Sequence, residues 1–400
     1  MQPWMRTPGT QAVIAALRGG TAEVRFVGGC VRDAVLGRTI AADIDLATDA
    51  APERVMELIR AAGHKAVPTG IAHGTVTAVI DGKPFEITTL RRDVDTDGRH
   101  ATVAFTDDWV VDAARRDFTI NAMSLTPDGV LYDPFGGRAD LEAGRVRFVG
   151  QAHDRITEDY LRLLRYFRFH AHFGRGPPDR DALAACRALA PGLGRLSAER
   201  VGAELCKLLG APDPAPSVAL MRDTGVLAQF LPQALAIDRL TRLVAAEATL
   251  DGLAVDPMRR LAALLCADEG GIDDVCDRLR LSNAEGAYLA SMTAQSVSLE
   301  GASHRRAIHR LGPDAFRDLA LLGWAESGDA SSWPALIDFA AAWTPKSFPL
   351  SGADVLRAGM PAGPAVGEIL RTMEEWWIDG DFSAGRSACL TRLGAEIARR

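Results

Sequence analysis

The chain has 400 residues, of which 48% are hydrophobic and 24% are charged, and its formal net charge is −7. This composition is that of a globular protein long enough for about two to four domains. The acidic balance argues against indiscriminate coating of nucleic acid, although a local basic stripe is compatible with it. No apolar run approaches the roughly 18 residues that span a membrane, and the N-terminus carries no secretion signal, so we expect no membrane contact.

The cysteines and the nucleotide-binding fingerprints narrow the function classes further. The six cysteines are scattered without a Cys-x-x-Cys pair, which indicates neither a zinc site nor a disulfide framework and fits a cytoplasmic protein. No Walker-type glycine loop is present, and no Gly-x-Gly-x-x-Gly follows a strand, so ordinary ATPases and dehydrogenases are poor candidates. No segment indicates an obligate protein partner.

A strand, a turn and a helix are predicted near the N-terminus. Glu23–Val27 reads as a short apolar strand, Gly28 and Gly29 as a turn, and Cys30–Leu36 as the start of a helix. Backbone N–H groups and the positive end of a helix dipole would then point to one place, where Arg32 adds a fork of donors. The pattern predicts a phosphate-binding site.

Two carboxylates follow shortly after this turn. Ala41–Ala47 reads as a strand, in which residues two apart point the same way, so Asp43 and Asp45 are expected on one face. Proteins typically hold Mg²⁺ with one or two carboxylates together with substrate phosphates. A Gly-Gly turn or an Asp-x-Asp alone is usually structural, but in this order they predict metal-assisted phosphoryl chemistry.

The next elements complete a small sheet. Pro52–Ala62 reads as an amphipathic helix, and Thr75–Ile80 and Pro84–Leu90 as strands joined by an Asp-Gly hairpin turn. Glu86 lies inside an otherwise apolar strand, so it is either an edge residue or a third carboxylate of the metal site.

A polar segment and a charged motif follow. Residues 91–107 lack core periodicity and predict a mobile loop beside the site, of the kind that gates active sites. Arg116 and Asp117 then lie next to a predicted helix start. They are either a salt-bridged helix cap or groups that hold the triphosphate and ribose hydroxyls of a nucleotide. Residues 132–141 read as a structural turn.

Helical periodicity begins near residue 151. Within a predicted helix over Thr157–Ala171, an apolar stripe is formed by Tyr160, Leu163, Leu164, Phe167 and Ala171. On the opposite side, Asp159, Arg162 and Arg165 recur at spacing three and share one face. That face is either a ladder of exposed salt bridges, worth tenths of a kcal/mol, or a pair that reads a base. In the second interpretation Asp159 accepts from the amino group of cytosine or adenine and Arg162 donates to the ring. Uracil and guanine would place a carbonyl against Asp159, which is costly when buried.

A second neck helix is predicted beside the first. Ala198–Leu209 carries Arg200 and Glu204 one helical turn apart, and these residues are expected to brace the first helix.

Four segments, taken together, resemble the class II tRNA nucleotidyltransferase and bacterial poly(A) polymerase family. They occur in family order and are Gly28-Gly29-x-Val31-Arg32-Asp33, Asp43-x-Asp45, Arg116-Asp117-x-x-x-Asn121-Ala122 and Glu158-Asp159-x-x-Arg162-x-x-Arg165. The loop Thr96–Ala101 and the run Glu158–Phe169 look most like CCA-adding enzymes, particularly the mitochondrial type of animals.

The resemblance implies an α+β fold with a polymerase-β-like head and a small mixed sheet over residues 1–150. An all-α neck (151–212), body (213–345) and tail (346–400) follow, with a Pro-rich joint at 211–216 and a tail that contacts tRNA. It places metal ligands at Asp43 and Asp45. Glu86, from its position in the strand and not from the resemblance, is a further catalytic candidate. The candidate nucleotide-binding residues are Gly28, Gly29, Arg32, Arg116, Asp117, Asn121, Asp159, Arg162, Arg165 and Arg168.

The predicted function is template-independent addition of C, C and A from CTP and ATP to the 3′ end of tRNA, with Mg²⁺ as cofactor. The alternatives are a poly(A) polymerase on the same scaffold and a non-catalytic RNA-binding homologue. All of these depend on one geometric expectation, which is that the acidic pair and the Asp159–Arg162 face open into the same cleft.

Overall fold

The computed structural model describes residues 2–20, 22–38, 43–97, 100–266, 269–294 and 303–399. The chain divides into two compact units, Met1–Pro232 and Gln233–Arg400. The Pro-rich stretch at 211–216 lies inside the first unit, where Pro214 precedes a helix that begins at Ala215. The division into head, neck, body and tail therefore stays a prediction. Within the described ranges, no helix is both long and apolar enough to cross a membrane.

The first unit is built on a mixed sheet of seven strands in the order β3-β4-β5-β2-β1-β8-β9. Neighbouring strands are antiparallel except β2 and β5, which pair in parallel. The strands are Val24–Val27 (β1), Asp45–Thr48 (β2), Lys65–Gly70 (β3), Thr75–Ile80 (β4), Lys83–Thr89 (β5), Ser124–Leu125 (β8) and Leu131–Tyr132 (β9). The small mixed sheet of the predicted head is confirmed, whereas β3, β8 and β9 escaped prediction because they are short or interrupted by glycine and proline.

One face of this sheet carries a row of buried apolar side chains. Phe26, Leu46, Ile87 and Val76 lie side by side across four strands and have no exposed surface. Since successive side chains of a strand point to opposite faces, the residues next to this row point to the other face. That other face carries the candidate catalytic carboxylates.

One strand prediction and one loop prediction need correction. The predicted strand over 41–47 begins only at Asp45; Asp43 precedes it, and residues 41 and 42 lie outside the described ranges. The predicted loop over 91–107 contains an antiparallel hairpin of Arg91–Asp97 (β6) and His100–Phe105 (β7). Residues 98 and 99 lie outside the described ranges. The prediction failed because backbone hydrogen bonds between two strands do not require apolar side chains.

The first unit also contains α-helices. They are Pro8–Arg18 (α1), Gly29–Val35 (α2), Pro52–Ala61 (α3), Trp109–Ala114 (α4), Gly137–Ala143 (α5), Ala152–Glu158 (α6), Leu161–Phe173 (α7), Arg180–Leu189 (α8), Ala198–Leu209 (α9), Ala215–Asp223 (α10) and Leu227–Phe230 (α11). The predicted α3 buries Val55, Leu58 and Ile59 as its periodicity requires. The Asp-Gly turn between β4 and β5 has positive φ at both residues, 51° and 75°, as a tight hairpin demands.

The single helix predicted over Thr157–Ala171 is wrong, because two helices meet there. α6 ends at Glu158, and α7 begins at Leu161. Asp159 between them is extended, with φ −152° and ψ 109°. The apolar periodicity runs on through the break, which is why the sequence did not reveal it.

In the described residues of the second unit, the named elements are all α-helices. Its helices are Ile237–Glu247 (α12), Pro257–Leu264 (α13), Glu269–Leu279 (α14), Asn283–Ala294 (α15), Ser303–Leu311 (α16), Pro313–Ser327 (α17), Trp333–Ala341 (α18), Gly352–Arg357 (α19), Pro364–Asp379 (α20) and Arg386–Ile397 (α21). An apolar cluster that includes Val355, Ile369 and Leu393 holds the last three helices together. The helical character predicted for this half is confirmed.

Candidate active site

Asp45 and Glu86 lie side by side on the open face of the sheet. They are direct partners in the parallel pairing of β2 with β5. β5 lies between β2 and β4, so Glu86 is not on an edge strand and the edge interpretation is wrong. Asp43 is exposed just before β2, and its charge acts on Asp45. The three carboxyls predicted for the site are therefore neighbours.

The charge state of Asp45 reflects these neighbours. Burial, followed by the negative charges of Glu86 and Asp43, raises its pKa from the usual 3.8 to about 6, while Arg116 opposes the shift. A bound cation stabilises the charged form of a carboxyl that lies among other carboxyls.

The donor set at this face fits Mg²⁺, for which one or two carboxylates and substrate phosphates suffice. In the described part of the chain, no group of three or more His, Cys, Asp or Glu residues is arranged to hold a metal ion. By the chemistry of Mg²⁺, Asp43 and Asp45 would share the ion with phosphate oxygens of a substrate.

The turn between β1 and α2 brings backbone close to this carboxylate. Gly28 has φ +73°, a conformation that glycine adopts readily and other residues rarely do. A Cβ placed on Gly28 would lie 3.6 Å from Asp45 Oδ2 and 3.7 Å from Arg116 Nη1. Any side chain here would therefore intrude between the two charged groups.

Two consecutive arginines are held by one buried carboxylate. Asp112 on α4 accepts hydrogen bonds from Arg115 at 2.7 and 2.9 Å through Oδ1 and from Arg116 at 3.1 Å through Oδ2. Burial alone would raise the pKa of Asp112, but Arg116 and Arg115 lower it below its usual value. Because Arg116 pairs with Asp112, it does not form the predicted helix cap with Asp117, and that alternative is wrong.

Asp117 instead joins a network that crosses the site. It accepts from Arg165 Nε at 2.7 Å and from Asn121 Nδ2 at 3.1 Å, and Asn121 in turn accepts from Arg32 at 2.9 Å. Burial would raise the pKa of Asp117, yet Arg165, Asn121 and the backbone N–H of Phe118 bring it below its usual value. Four of the predicted nucleotide-binding residues are thus bound to one another.

The neck residues find different partners from those expected. Both carboxylate oxygens of Asp159 accept from Arg200 Nη2, at 2.8 and 3.1 Å, and the backbone N–H of Leu161 donates to Oδ1 at 3.1 Å. Arg162 donates to Glu158 and to the backbone carbonyls of Arg155 and Arg115, the latter at 3.2 Å. The prediction of a salt-bridge ladder along one helix is therefore wrong. Asp159 pairs with Arg200 of α9, and Arg162 pairs with Glu158 of α6.

The predicted brace from the second neck helix is confirmed. Arg200 of α9 binds Asp159, and Glu204 of α9 lies 3.1 Å from Arg168. Arg168 also lies over the ring of Phe169, with its guanidinium carbon 4.5 Å from the ring centroid.

A cavity of about 580 Å³ unites the head and neck residues. Asp45, Asp159 and Arg162 all line it, which meets the geometric expectation stated from the sequence. Its walls are Gly28, Gly29, Arg32, Asp45, Arg115, Arg116, Asp117, Asn121, Asp159, Leu161, Arg162, Arg165, Phe169 and Arg200. Of the predicted site residues, Asp43, Glu86 and Arg168 lie outside this lining.

Comparison with known proteins agrees with this arrangement. Residues 24–147 match the family model described as the poly(A) polymerase head domain, and residues 178–237 match a probable RNA and SrmB-binding site of polymerase A. The mitochondrial CCA tRNA nucleotidyltransferase 1 of Mus musculus is 36% identical over 389 residues, 93% of this chain and 86% of that protein. The same enzyme of Homo sapiens is 37% identical over 388 residues, with the same coverage.

A solved structure covers the whole chain. The CCA-adding enzyme of Bacillus stearothermophilus in complex with CTP superimposes with a TM-score of 0.83 and 29% sequence identity, over 100% of this chain and 99% of that one. The chain belongs to the class II CCA-adding enzyme and poly(A) polymerase family. The α+β class, the family and the nucleotidyltransferase activity predicted from the sequence are thereby confirmed. The polymerase-β-like nucleotidyltransferases typically use a divalent metal ion.

Some residues of this class II site escaped prediction. Arg115 and Phe169 line the cavity, and Asp112 of α4 binds both Arg115 and Arg116, which follow that helix. Asp112 precedes Arg115 and Arg116 by three and four residues, and this helical spacing is a signal that would have found it. Nothing in the sequence pattern distinguishes Phe169 from the core residues of α7.

Proposed function

We propose that this chain adds C, C and A to the 3′ end of tRNA, taking the nucleotides from CTP and ATP and releasing pyrophosphate. The observation that carries the proposal is the cavity of about 580 Å³ that both Asp45 and Arg162 line. Its size is in the range of about 300–1,000 Å³ that small-molecule sites occupy. The homologous enzymes of mouse and human bear the name of this activity.

In the reaction, the 3′ hydroxyl of the RNA loses its proton to water, its oxygen forms a bond to the α-phosphorus of the nucleotide, and the bond from that phosphorus to the pyrophosphate oxygen breaks. Asp43 and Asp45 would hold Mg²⁺, with Glu86 beside Asp45 as the third carboxylate. The ion supplies a lower pKa for the attacking hydroxyl and charge stabilisation for the departing pyrophosphate.

The arginines and the backbone turn bind the triphosphate. Arg32 and Arg116 line the cavity on the side of Gly28 and Gly29, where phosphate oxygens can meet both guanidinium and N–H donors. Arg32 is already oriented by Asn121 and by the ring of Phe173, 4.3 Å from its guanidinium carbon. Preorganised donors of this kind are a main source of catalysis in phosphoryl transfer.

The neck residues choose the base. Asp159 accepts from the amino group of cytosine or adenine and Arg162 donates to the ring, while Arg200 fixes the orientation of Asp159. Asp117 and Arg165 pair in the wall of the same cavity, and the charge of Glu204, which pairs with Arg168, also acts on Arg165.

Nucleotide incorporation tests the proposal. A tRNA that ends before its CCA sequence is incubated with each labelled nucleoside triphosphate in turn. We expect C incorporation with CTP alone, A incorporation only after C, and none with UTP or GTP. Asp45→Ala should abolish incorporation without unfolding the protein, whereas Asp128→Ala, at an exposed carboxyl paired with Arg18, serves as the matched control. Full activity of Asp45→Ala would contradict the metal assignment.

The runner-up is a poly(A) polymerase, which the matching head-domain model also favours. Long A tracts without C incorporation would establish it, and absence of any nucleotide turnover would favour a non-catalytic RNA-binding homologue. We also propose a cytoplasmic location, on the cysteine pattern alone; the mouse and human relatives are named as mitochondrial, so fractionation of the source cells tests this point.

A further inference from the structure

A second cavity, of about 220 Å³, lies beside the first and shares Arg116 with it. Its walls are mostly apolar and include Trp109 and Val110 of α4 and Tyr132 of β9. Tyr132 is 44% exposed and Val110 is 53% exposed, which leaves an open apolar surface at the edge of a charged site. The volume is below the range of about 300–1,000 Å³ typical of whole small ligands, so it suits part of a ligand such as one planar ring system.

The aromatic rings of this cavity are held rigidly. The guanidinium carbon of Arg25 lies 4.1 Å from the centroid of Trp109 and 3.8 Å from that of Tyr132, so it is stacked between the two rings. Glu23 accepts hydrogen bonds from Arg25 at 2.8 Å and from the indole N–H of Trp109 at 3.1 Å. Arg25 is only 7% exposed, so its function here is to hold the rings in place.

The cavity lies on the catalytic face of the sheet. Arg25 and Val27 line it, and both point away from the buried row that contains Phe26. Asp45 points away from that row as well, because its neighbour Leu46 is the partner of Phe26. The larger cavity, which Asp45 lines, and the aromatic cavity, which Arg25 and Val27 of β1 line, therefore lie on the same face of the sheet and meet at Arg116.

We propose that the aromatic cavity binds the base of the 3′-terminal nucleotide of the RNA that is extended. This inference rests on the proposed function, which requires a 3′ hydroxyl to reach Asp45 while the incoming nucleotide fills the larger cavity. Aromatic side chains bind single-stranded nucleic acid by stacking with any base, and such binding tolerates the change from one terminal nucleotide to the next during successive additions. The base stacks on the exposed ring of Tyr132.

RNA binding without nucleotide transfer tests this inference. Two short fluorescent RNAs are compared by anisotropy, one with a 3′-terminal C and one with an abasic sugar at that position. The protein should bind the first about 5- to 100-fold more tightly. Tyr132→Ala should remove most of this ratio, Tyr132→Phe should restore it because the ring returns, and Val130→Ala, at an exposed apolar residue outside the cavity lining, should keep it.

Steady-state kinetics adds a second readout. Tyr132→Ala should raise the KM for the RNA while leaving the KM for CTP unchanged. Equal binding of the two RNAs by the unaltered protein, or an unchanged ratio in Tyr132→Ala, would overturn the inference. A rise in the KM for CTP alone would overturn it too, because the cavity would then belong to the incoming nucleotide. Base-dependent RNA binding in a protein that transfers no nucleotide would contradict only the proposed function.

Discussion

Asp45 shares its surroundings with two carboxylates and one guanidinium, so its protonation responds both to pH and to bound cations. The carboxyl is partly buried at the first position of β2, where it cannot be hydrated as freely as the exposed Asp43. Under the proposed metal assignment, the charge of Asp45 serves activity only when a cation is present, and without the cation it lowers stability.

The raised pKa of Asp45 predicts that the metal-free protein loses stability as the pH rises. Its pKa is about 6 in the folded chain and 3.8 ordinarily, so the folded state holds the proton more tightly. The contribution is therefore complete below about pH 4 and is lost as the pH rises through about 6. Asp45→Asn, which stays neutral, should be more stable than the unaltered protein by about 1–3 kcal/mol at about pH 8. Urea unfolding in a chelator measures this difference.

Added Mg²⁺ provides the control for that experiment. It should stabilise the unaltered protein near pH 8 and have little effect on Asp45→Asn, since a ligand stabilises only the state that binds it. Asp128→Asn should behave as the unaltered protein does. The pKa assignment would be contradicted if Asp45→Asn kept the original pH dependence.

Asp159 and Arg162 predict a change in nucleotide choice. Truncating Asp159 removes the acceptor that a carbonyl of uracil would oppose, so Asp159→Ala should relax selection against UTP by about 10- to 100-fold. The ratio of kcat/KM for CTP to that for UTP measures the effect. Glu57→Ala, which removes an exposed carboxylate paired with Arg54, is the matched control. If Asp159→Ala leaves nucleotide selectivity unchanged, the pairing of Asp159 with Arg200 has only a structural role.

Among the elements, the junction of α6 and α7 shows where reasoning from sequence succeeds and where it fails. The apolar stripe predicted the buried Leu163, Leu164 and Phe167 of α7 correctly. The same stripe gave no sign that Asp159 lies outside both helices, because the partner that holds it there, Arg200, is on another helix. The periodicity of the sequence predicts which face of a helix is buried. The boundary between α6 and α7, in contrast, depends on an ion pair between Asp159 and Arg200, which are far apart in the sequence.

The carboxylate site shows the same limit in the sheet. The separate strands around Asp45 and Glu86 were predictable from their apolar residues, and so was the hairpin turn before β5. Their parallel pairing was not, because it joins strands that are not consecutive and depends on the crossover between them. The family resemblance supplied the juxtaposition of head and neck that residue patterns alone left open.

The pairing of Asp117 with Arg165 connects the segment after α4 to α7, and it predicts a loss of stability in Arg165→Met. The variant leaves Asp117 buried beside fewer donors, which should raise the pKa of Asp117 and cost about 1–3 kcal/mol at neutral pH. The loss should shrink in acid, because a neutral Asp117 no longer needs the guanidinium. Unfolding at neutral and acidic pH, without nucleotide, measures both effects. Arg54→Met, at an exposed arginine, should change stability little, and an equal loss there would refute the argument.

At the scale of the whole molecule, the two units use charge differently. In the first unit, charged side chains that include Asp45, Arg116 and Arg162 line an open cavity. The second unit buries a closed network, in which Arg259 binds Glu247 at 2.7 Å and Asp318 at 2.9 Å, Arg260 binds Glu247 at 2.8 Å, and Tyr288 donates to Asp318 at 2.9 Å. Both arginines are at most 2% exposed. A satisfied network of this kind specifies one packing of its helices rather than a ligand site.

This network predicts a strong effect of Arg259→Met on stability. Removing the guanidinium takes one charged partner from each of two buried carboxylates, Glu247 and Asp318, and the loss of a partner from a buried ion pair typically costs about 3–5 kcal/mol. Denaturant unfolding followed by tryptophan fluorescence measures the loss. Arg278→Met removes a 41% exposed arginine from its pair with Asp274 and should cost less than about 1 kcal/mol. Comparable losses in the two variants would show that burial does not govern the worth of these charges.

The parallel pairing of β2 with β5 has a consequence for how the protein is made. The ribosome must deliver α3, β3 and β4 before Asp45 can meet Glu86, and it must deliver α9 before Arg200 can hold Asp159. Since a growing chain folds from its N-terminal end as it emerges, the proposed catalytic carboxylates and the proposed base-selecting pair form at two separate moments of synthesis. A nascent chain that stops after β5 and before α9 would contain the proposed catalytic carboxylates without the Arg200 that positions the proposed base-selecting residue Asp159.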